Sequence, residues 1–409
     1  MRTRTLTISI ILMLLLAPAV MAAAPLADDN AVEDAVRFAT FNASLNRFAS
    51  GGLISDLSTP DNAQAKTIAE IIQRTRPEVL LINEFDYDEN GVAAALFQEN
   101  YLSVSQNGAE PITYEHRFVA PSNTGIPSGF DFNNNGAVGG PDDAFGFGFF
   151  PGQFGMAVYS MFPIDTDHIR TFQMFLWKDM PGALLPDDPN TPEPADWYSA
   201  DELAVFRLSS KSHWDVPISV GARKVHFLVS HPTPPVFDGP EDRNGTRNFD
   251  EIRFWADYIH PGRSAYIYDD QGNTGGIQPG EAFVIAGDMN SDPFDGDSIP
   301  GSAQLLLDHP MVNTRVTPSS EGAVEQAALQ GGANATHLGD PQFDTADFAD
   351  TAPGNLRADY VLPHKMLQIV NAAVFWPTTD DPLFSLVGTF PFPSSDHRLV
   401  YIDVMVPGN

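Results

Sequence analysis

The chain has 409 residues, of which 53 are acidic and 22 are basic, and its formal net charge is −31. A protein of this charge repels polyanions at long range and attracts divalent cations, which argues against strong nonspecific binding to nucleic acid. The chain contains no cysteine, which excludes disulfide bonds and thiolate metal sites. Its length permits one large layered domain or two ordinary ones.

The first 24 residues have the pattern of a secretory signal peptide. Arg2 and Arg4 precede an apolar run of about a dozen residues, and small residues follow at 22–24. This run is too short to span a bilayer well, and no later stretch is long or apolar enough for a membrane helix. We therefore predict a signal peptide at 1–24 that is cleaved near residue 22–24. The mature protein is expected to be secreted or periplasmic, with a single domain over 30–407.

Short apolar runs predict strands, and two amphipathic segments predict helices. Between the first two strands, Ala65, Ile68 and Ile72 form a helical stripe that ends before Pro77. Strands with near-continuous apolar character are buried on both faces, so the pattern predicts an α/β fold with a sheet-layered core. The predicted strands are "AVRFATFN", "EVLLINE", "FGMAVYS", "KVHFLVSH", "AFVIAGD", "RADYVLP" and "LVYIDVMV", and the predicted helices are "NAQAKTIAEIIQRTRP" and "NFDEIRFWADYIH".

Two long irregular stretches, near 105–150 and 176–200, are predicted to be insertions. The first contains "DFNNNGAVGGPDD", whose spacing resembles a calcium-binding loop. Asp131, Asn133 and Asn135 fit positions 1, 3 and 5, and Asp142 falls at position 12, where a glutamate is usual. A weak structural Ca²⁺ site and an ordinary Asn/Gly-rich surface turn both remain open.

Polar residues recur where the predicted strands end, and such groups converge on one rim in layered α/β proteins. Their oxygen atoms suit a hard cation such as Mg²⁺, Mn²⁺ or Ca²⁺. Two histidines left free of the metal suit proton transfer or contact with a phosphoryl oxygen. The residues are Asn42, Glu84, His231, Asp288, Asn290, Asp359, Asp396 and His397.

In this order, the set resembles the endonuclease/exonuclease/phosphatase superfamily over about residues 36–406. The matching motifs are "TFN" with Asn42, "LLINE" with Glu84, "GDMN" with Asp288 and Asn290, "DY" with Asp359 and "SDH" with Asp396 and His397. Two motifs depart from the family pattern. Asn83 stands where the family usually has glutamine, and His231 in "SHP" is a looser match to the family's "THL".

The resemblance implies a four-layer α/β-β/α sandwich with two central mixed sheets, and a site where the sheets meet at one end. It implies that Glu84 binds the catalytic Mg²⁺ or Mn²⁺, helped by Asn42 and Asp396. The other implied roles are water activation by Asp288, water or phosphate contact by Asn290, support of His397 by Asp359, and charge stabilisation by His231 and His397.

We therefore expect an exported, divalent-metal-dependent phosphohydrolase that uses direct attack of water. Its substrate stays open between nucleic acid or other diesters, for a nuclease or phosphodiesterase, and small phosphate esters or inositol phosphates, for a phosphomonoesterase. The alternative of another class is a non-catalytic calcium-binding module on the same fold. No obligate protein partner is predicted.

Two further groups of charged residues have open interpretations. Basic or imidazole side chains that could bind a phosphate, or form ordinary ion pairs, are Arg170, Lys211, His213 and Arg247. The aspartates that follow "GDMN" form either a solvated acidic loop or part of a second cation site: Asp292, Asp295 and Asp297.

Overall fold

The computed structural model describes residues 35–407, so the predicted signal peptide lies outside the described residues. Within this range the chain forms thirteen strands: β1 (Ala35–Asn42), β2 (Val79–Asn83), β3 (His116–Phe118), β4 (Met156–Ser160), β5 (Arg170–Thr171), β6 (His213–Val220), β7 (Arg223–Ser230), β8 (Ala282–Asp288), β9 (Ala346–Asp347), β10 (Asn355–Leu356), β11 (Asp359–Pro363), β12 (Gln368–Val374) and β13 (Val400–Met405).

The same range contains eight α-helices: α1 (Gly52–Leu57), α2 (Ala63–Thr75), α3 (Val92–Phe97), α4 (Ala200–Leu203), α5 (Arg243–Tyr258), α6 (Gln304–Leu307), α7 (Glu321–Gln330) and α8 (Phe384–Val387). Asn62 caps α2, because its side chain accepts a hydrogen bond from the amide of Ala65. No helix among residues 35–407 is both long enough and apolar enough to cross a membrane.

Two large mixed sheets form the centre of the domain. One has the strand order β12-β13-β1-β2-β4-β3, and the other has the order β11-β8-β7-β6-β5. In the first sheet β1 and β2 run parallel, and in the second β7 and β8 run parallel, while the remaining neighbours are antiparallel. A short pair, β9 and β10, forms a separate two-stranded ribbon.

Alternation of side chains along the strands produces three apolar layers. The inner faces of the two sheets pack together, and the rings of Phe38 on β1 and Phe227 on β7 lie 5.6 Å apart. The outer face of the first sheet packs against α2, which contributes Ile68 and Ile72. The outer face of the second packs against α5, which contributes Trp255. This arrangement confirms the four-layer α/β-β/α sandwich.

Each of the seven predicted strands and both predicted helices is present. Strand β6 was not predicted, although all but one of its residues are buried, because Pro217 lies in its middle and proline is rare in central strands. Pro217 lies beyond the end of the β5 pairing at Asp215, and its carbonyl oxygen still accepts the N–H of Asp165 at 2.9 Å, so the proline removes one hydrogen bond at this edge and keeps the other. Five other strands were not predicted because they are short or exposed and have no clear sequence pattern: β3, β5, β9, β10 and β12.

Candidate active site

The carboxylate of Asp288, at the end of β8, is the centre of the site. Its Oδ2 accepts a hydrogen bond from Asn42 Nδ2 at 3.0 Å, which joins the ends of the two sheets. The same oxygen lies 3.4 Å from His231 Nε2 and 3.6 Å from His397 Nε2. Its Oδ1 accepts the backbone N–H of Asn290 at 2.9 Å. Burial raises the pKa of Asp288, while the positive charge of His397 opposes that rise.

Glu84 follows β2 directly and lies beside Asn42. Its Oε1 accepts from Asn42 Nδ2 at 3.1 Å, and its Oε2 accepts from Asn46 Nδ2 at 2.8 Å. Glu84 has a φ of 56° and Asn290 a φ of 50°, which is the left-handed region that residues other than glycine rarely adopt. Backbone strain of this kind is concentrated at functional sites, where the surrounding structure holds it.

A buried pair, Asp359 and His397, lies next to Asp288. Asp359 begins β11 and pairs in register with Asp288 on β8. His397 Nδ1 lies 2.8 Å from Asp359 Oδ2, which also accepts from Thr345 Oγ1 at 2.8 Å. Burial lowers the pKa of His397, but the carboxylates of Asp359 and Asp288 outweigh it and hold that pKa well above its ordinary value. His397 is therefore charged at neutral pH.

His231, which follows β7, differs from His397 in the direction in which its pKa is shifted. It is buried, and its Nδ1 has no hydrogen-bond partner among the described residues. Burial, followed by the positive charges of Lys211 and His397, lowers the pKa of His231 well below its ordinary value. The imidazole is therefore neutral at neutral pH, and it could contact a phosphoryl oxygen as a neutral donor.

The residues expected to hold a divalent cation fit one. Burial raises the pKa of Glu84, and the nearby carboxylate of Asp396 raises it further. Both carboxylates are half-buried; a nearby cation stabilises such groups, and carboxylate oxygens are ligands that a hard ion prefers. Glu84 and Asp396 could therefore hold Mg²⁺. Asn42 as a further ligand stays a prediction, because its Nδ2 faces Glu84 and Asp288 while its Oδ1 accepts the N–H of Ser44 at 3.2 Å.

Asp288, Asp359 and His397 form a second, tighter cluster, whose potential ligand atoms all lie within 4.8 Å of one another. We interpret this cluster as a hydrogen-bonded ion pair rather than as the metal site, because a charged His397 beside the two carboxylates already offsets part of their negative charge. A metal ligand would require the neutral imidazole.

Of the four side chains predicted to bind phosphate, Lys211 lies near this site. Burial lowers the pKa of Lys211, and the carboxylates of Glu251, Glu84 and Asp288 oppose this change. Its Nζ makes one long contact, 3.5 Å from the carbonyl oxygen of Pro232, which follows His231. Phosphate binding by Lys211 stays a prediction.

The other three use their donors within the protein. Arg170 Nε pairs with Asp269 at 2.8 Å. Arg247 donates to the carbonyl oxygens of residues 145, 207 and 208. His213 has both ring nitrogens engaged, one with Ser209 Oγ at 2.7 Å and the other with the carbonyl oxygen of residue 251 at 2.9 Å. These contacts hold the three side chains within the protein, and phosphate binding by Arg170, His213 and Arg247 stays a prediction.

The predicted calcium loop forms a compact turn. Asp131 accepts from the backbone N–H groups of Asn135 and Gly136 at 3.0 Å and 2.7 Å. Asp143, rather than the predicted Asp142, closes the loop: its carboxylate is buried and accepts from the N–H groups of residues 132 and 139, while Asp142 is exposed. Ca²⁺ binding by Asp131, Asn133, Asn135 and Asp142 stays a prediction, although the chain turns one residue later than the motif requires. Asn133 Oδ1 likewise accepts from a backbone N–H inside the turn.

The acidic loop after Asn290 also binds backbone amides. Asp292 accepts from the N–H groups of residues 294, 295 and 357, and Asp295 accepts from those of residues 338 and 339. Asp297 is exposed. Burial, followed by the charges of Asp292, Asp295 and Asp340, raises the pKa of Asp344 to about 8. Apart from Asp288, Asp359 and His397, no group of three acidic or histidine side chains converges within the described residues.

No sequence pattern indicates a role for Asn248, a fully buried residue of α5. Its Nδ2 donates to the carbonyl oxygen of Thr233 at 2.8 Å and to that of Met289 at 2.9 Å. Thr233 is two residues beyond His231, and Met289 follows Asp288. One side-chain amide therefore ties together the two loops that carry these catalytic candidates. Three residues along the helix, Glu251 supports the same loop by accepting the N–H of Thr233 at 2.7 Å.

Comparison with solved structures finds similar chains at low sequence identity. An endonuclease/exonuclease/phosphatase from Beutenbergia cavernae DSM 12333 is 17% identical, with a TM-score of 0.47 over 91% of this chain and 72% of that one. Sphingomyelinase C from Streptomyces griseocarneus is 13% identical, with a TM-score of 0.44 over 90% and 99%. A Staphylococcus aureus beta toxin mutant with bound magnesium ions is 14% identical, with a TM-score of 0.42 over 90% and 99%.

No curated protein matches this chain. The model of the endonuclease/exonuclease/phosphatase family matches residues 39–397, a range that includes every residue of the site described above. The chain therefore belongs to the endonuclease/exonuclease/phosphatase family, whose members are metal-dependent phosphoric ester hydrolases.

Proposed function

We propose that the protein is an exported, Mg²⁺-dependent phosphodiesterase that cleaves its substrate by direct attack of water. The observation that carries this proposal is the environment of Asp288. One oxygen of its buried carboxylate is within 3.6 Å of the side chains of Asn42, His231 and His397, which come from distant parts of the chain. A carboxylate held in this way beside a charged imidazole is suited to remove a proton from the water molecule that attacks the phosphorus atom.

The side chains divide the work between them. Asp288, whose pKa is raised by burial, accepts the proton of the attacking water. His397, kept charged by Asp359, offers Nε2–H to a phosphoryl or leaving oxygen. His231 and Lys211 offer further donors on the side of the Pro232 loop. When bound at Glu84, Mg²⁺ would supply positive charge to the phosphoryl group.

The charge of the site favours a diester over a monoester. The carboxylates at or beside it are those of Glu84, Asp288, Asp359 and Asp396, and the positive side chains that act on Glu84 are His397 and Lys211. A phosphate diester carries one negative charge at neutral pH, whereas a monoester carries nearly two. The diester is therefore repelled less by the same carboxylates.

Hydrolysis of bis-p-nitrophenyl phosphate, plasmid DNA and phytate, each with Mg²⁺, Mn²⁺, Ca²⁺ or EDTA, tests the proposal. We expect turnover of the small diester with Mg²⁺ and its loss in EDTA. Turnover of phytate alone would replace the proposal with a phosphomonoesterase. A folded sample that cleaves none of the three with any metal would contradict an enzymatic role.

Export is supported by the sequence pattern at residues 1–24 alone, namely two arginines, an apolar run and small residues near 22–24. Sequencing the N-terminus of the protein recovered from outside the cytoplasm tests it. A chain that still begins at Met1 would contradict cleavage.

Replacing Asn248 by aspartate is expected to lower kcat by roughly tenfold to a hundredfold, because displaced catalytic loops lose their alignment. The carboxylate has nearly the same shape but cannot donate, so the carbonyl oxygens of Thr233 and Met289 both lose their partner. The rate is measured per folded molecule, with the folded fraction taken from circular dichroism.

Asn313→Asp is the matched control for this variant. Asn313 Nδ2 donates to the carbonyl oxygen of Leu367 at 2.8 Å, and its own N–H bonds to Pro363 at the end of β11 away from Asp359. We expect this variant to lose stability without a change in kcat. An equal loss of kcat in both variants would show that Asn248 has no particular positioning role.

A further inference from the structure

Three phenylalanines protrude from the surface beside Glu84. Phe48, Phe149 and Phe147 are 96%, 63% and 49% exposed. The rings of Phe147 and Phe149 contact each other edge to face, with their centroids 5.7 Å apart. Large apolar side chains grouped on a surface mark a contact with another molecule more often than isolated ones do.

The two segments that carry these phenylalanines are joined by partly buried hydrogen bonds. Gln153 Nε2 donates to the carbonyl oxygen of Arg47 at 2.7 Å, and Gln153 Oε1 accepts the N–H of Phe149 at 2.8 Å. Asp86 accepts the N–H groups of Arg47 and Phe154 at 2.8 Å and 3.2 Å. Phe48 and Phe149 are therefore held on a built platform, and neither belongs to a freely moving loop.

This platform is attached directly to the catalytic site. Asn46, two residues before Phe48, donates to Glu84 Oε2 at 2.8 Å. Asp86 is two residues beyond Glu84 and accepts from both segments. The exposed rings and the residue expected to bind the metal ion thus share one short piece of structure.

The other strongly exposed phenylalanines of residues 35–407 lie within seven residues, along the chain, of other catalytic candidates. Phe237 follows His231 by six residues, Phe294 follows Asp288 by six, and Phe390 precedes His397 by seven. Each of the three is more than half exposed. We call the complete set the phenylalanine rim: Phe48, Phe147, Phe149, Phe237, Phe294 and Phe390.

The charge of the protein selects among the surfaces that such a rim could meet. Single-stranded nucleic acid stacks on aromatic rings, but it also needs a positive groove along its backbone, and the chain has 53 acidic residues against 22 basic ones. The same net charge of −31 repels a membrane of anionic lipids. A bilayer of zwitterionic phospholipid has no net charge and accepts apolar side chains at the boundary of its acyl chains.

We propose that the phenylalanine rim docks the protein onto the surface of a zwitterionic phospholipid bilayer, with the catalytic loops facing the phosphodiester head groups. Docking itself is independent of catalysis. The assignment of the head group as substrate rests on the proposed phosphodiesterase function. Phenylalanine suits this role because it has no polar group to satisfy when it enters the acyl boundary.

Co-sedimentation with phosphatidylcholine vesicles in EDTA tests the docking without any contribution from catalysis. We expect the wild-type protein to bind, and the double variant Phe48→Ser, Phe149→Ser to lose at least tenfold in partition coefficient. Hydrolysis of bis-p-nitrophenyl phosphate by the double variant should stay at the wild-type rate, because the serines replace exposed rings and leave the Gln153 and Asp86 hydrogen bonds in place. Vesicles of phosphatidylglycerol are expected to bind less than those of phosphatidylcholine.

Met366→Ser is the matched control, because Met366 is also exposed but lies beyond the end of β11 away from Asp359. We expect it to bind vesicles like the wild type. The proposal is overturned by a wild-type protein that does not bind phosphatidylcholine, by equal losses in both variants, or by losses confined to single-stranded DNA binding. It is also overturned if the double variant only dissociates a dimer in gel filtration.

Failure of the docking and failure of the proposed function give different results. A protein that binds the vesicles but hydrolyses neither their lipid nor the soluble diester retains the docking and loses the function. A protein that hydrolyses the soluble diester but ignores the vesicles retains the function and loses the docking.

Discussion

Replacing Asp288 by asparagine is expected to lower kcat for a phosphodiester about a thousandfold while the fold stays intact. Asparagine has nearly the shape of aspartate but cannot take a proton from water. It also removes the negative charge that, with Asp359, keeps His397 protonated. Steady-state hydrolysis of bis-p-nitrophenyl phosphate at saturating Mg²⁺ measures the loss.

The same substitution should not destabilise the protein at alkaline pH. Burial raises the pKa of Asp288 above its value in the unfolded chain. A carboxyl group of this kind favours the folded state most when it is protonated, at low pH, and this advantage is lost as the pH rises through the folded pKa. Asparagine stays neutral, so in EDTA at pH 8 the variant should unfold at the wild-type temperature or above it. At pH 4 the difference should shrink.

Asp297→Asn is the control for this prediction, because Asp297 lies on the same loop but is exposed. We expect it to keep both its activity and its unfolding temperature. A tenth or more of the wild-type kcat in Asp288→Asn would remove Asp288 from the role of general base. A large fall in its unfolding temperature would attribute the lost activity to unfolding.

The large features of the fold could be predicted because local pattern and long-range structure agree there. Apolar runs such as "EVLLINE" are buried strands, and Glu84 stands where its strand ends. Six of the predicted catalytic and metal-binding residues are brought together by side-chain contacts: Asn42, Glu84, His231, Asp288, Asp359 and His397. The end of each strand is predicted from its own local pattern, and the sandwich fold then brings these strand ends together at one end of the two sheets.

The supporting residues could not be predicted, because their roles depend on contacts between distant segments. Asn248 lies in an amphipathic helix where an amide is usually a solvent-facing residue, yet it is buried and bonds to two catalytic loops. Asp143 replaces Asp142 as the residue that closes the 131–143 turn because the chain path differs from the motif by one residue. No local pattern in the sequence specifies which side chain an Asn/Gly-rich loop turns inward.

Replacing Glu84 by glutamine is expected to raise the Mg²⁺ concentration for half-maximal activity by at least about a hundredfold, because the variant loses a charged metal ligand. Mutation of residues that only hydrogen-bond to a metal ligand already lowers metal affinity by about tenfold to a hundredfold. Asn42 Nδ2 and Asn46 Nδ2 both donate to the carboxylate of Glu84. A glutamine amide turns one acceptor into a donor, so one of these hydrogen bonds is also lost.

The shift of the unfolding temperature with Mg²⁺ gives a readout that does not depend on catalysis, since a cation that binds only the folded state raises this temperature. We expect a clear shift for the wild type and for Glu89→Gln, an exposed acid five residues beyond Glu84, and little shift for Glu84→Gln. The alternative site is the Asp288–Asp359–His397 cluster. If Glu84→Gln keeps the shift and Asp359→Asn abolishes it, the ion binds at that cluster. Our interpretation of His397 as a charged partner of Asp359 would then be wrong, because a protonated imidazole cannot ligate a metal.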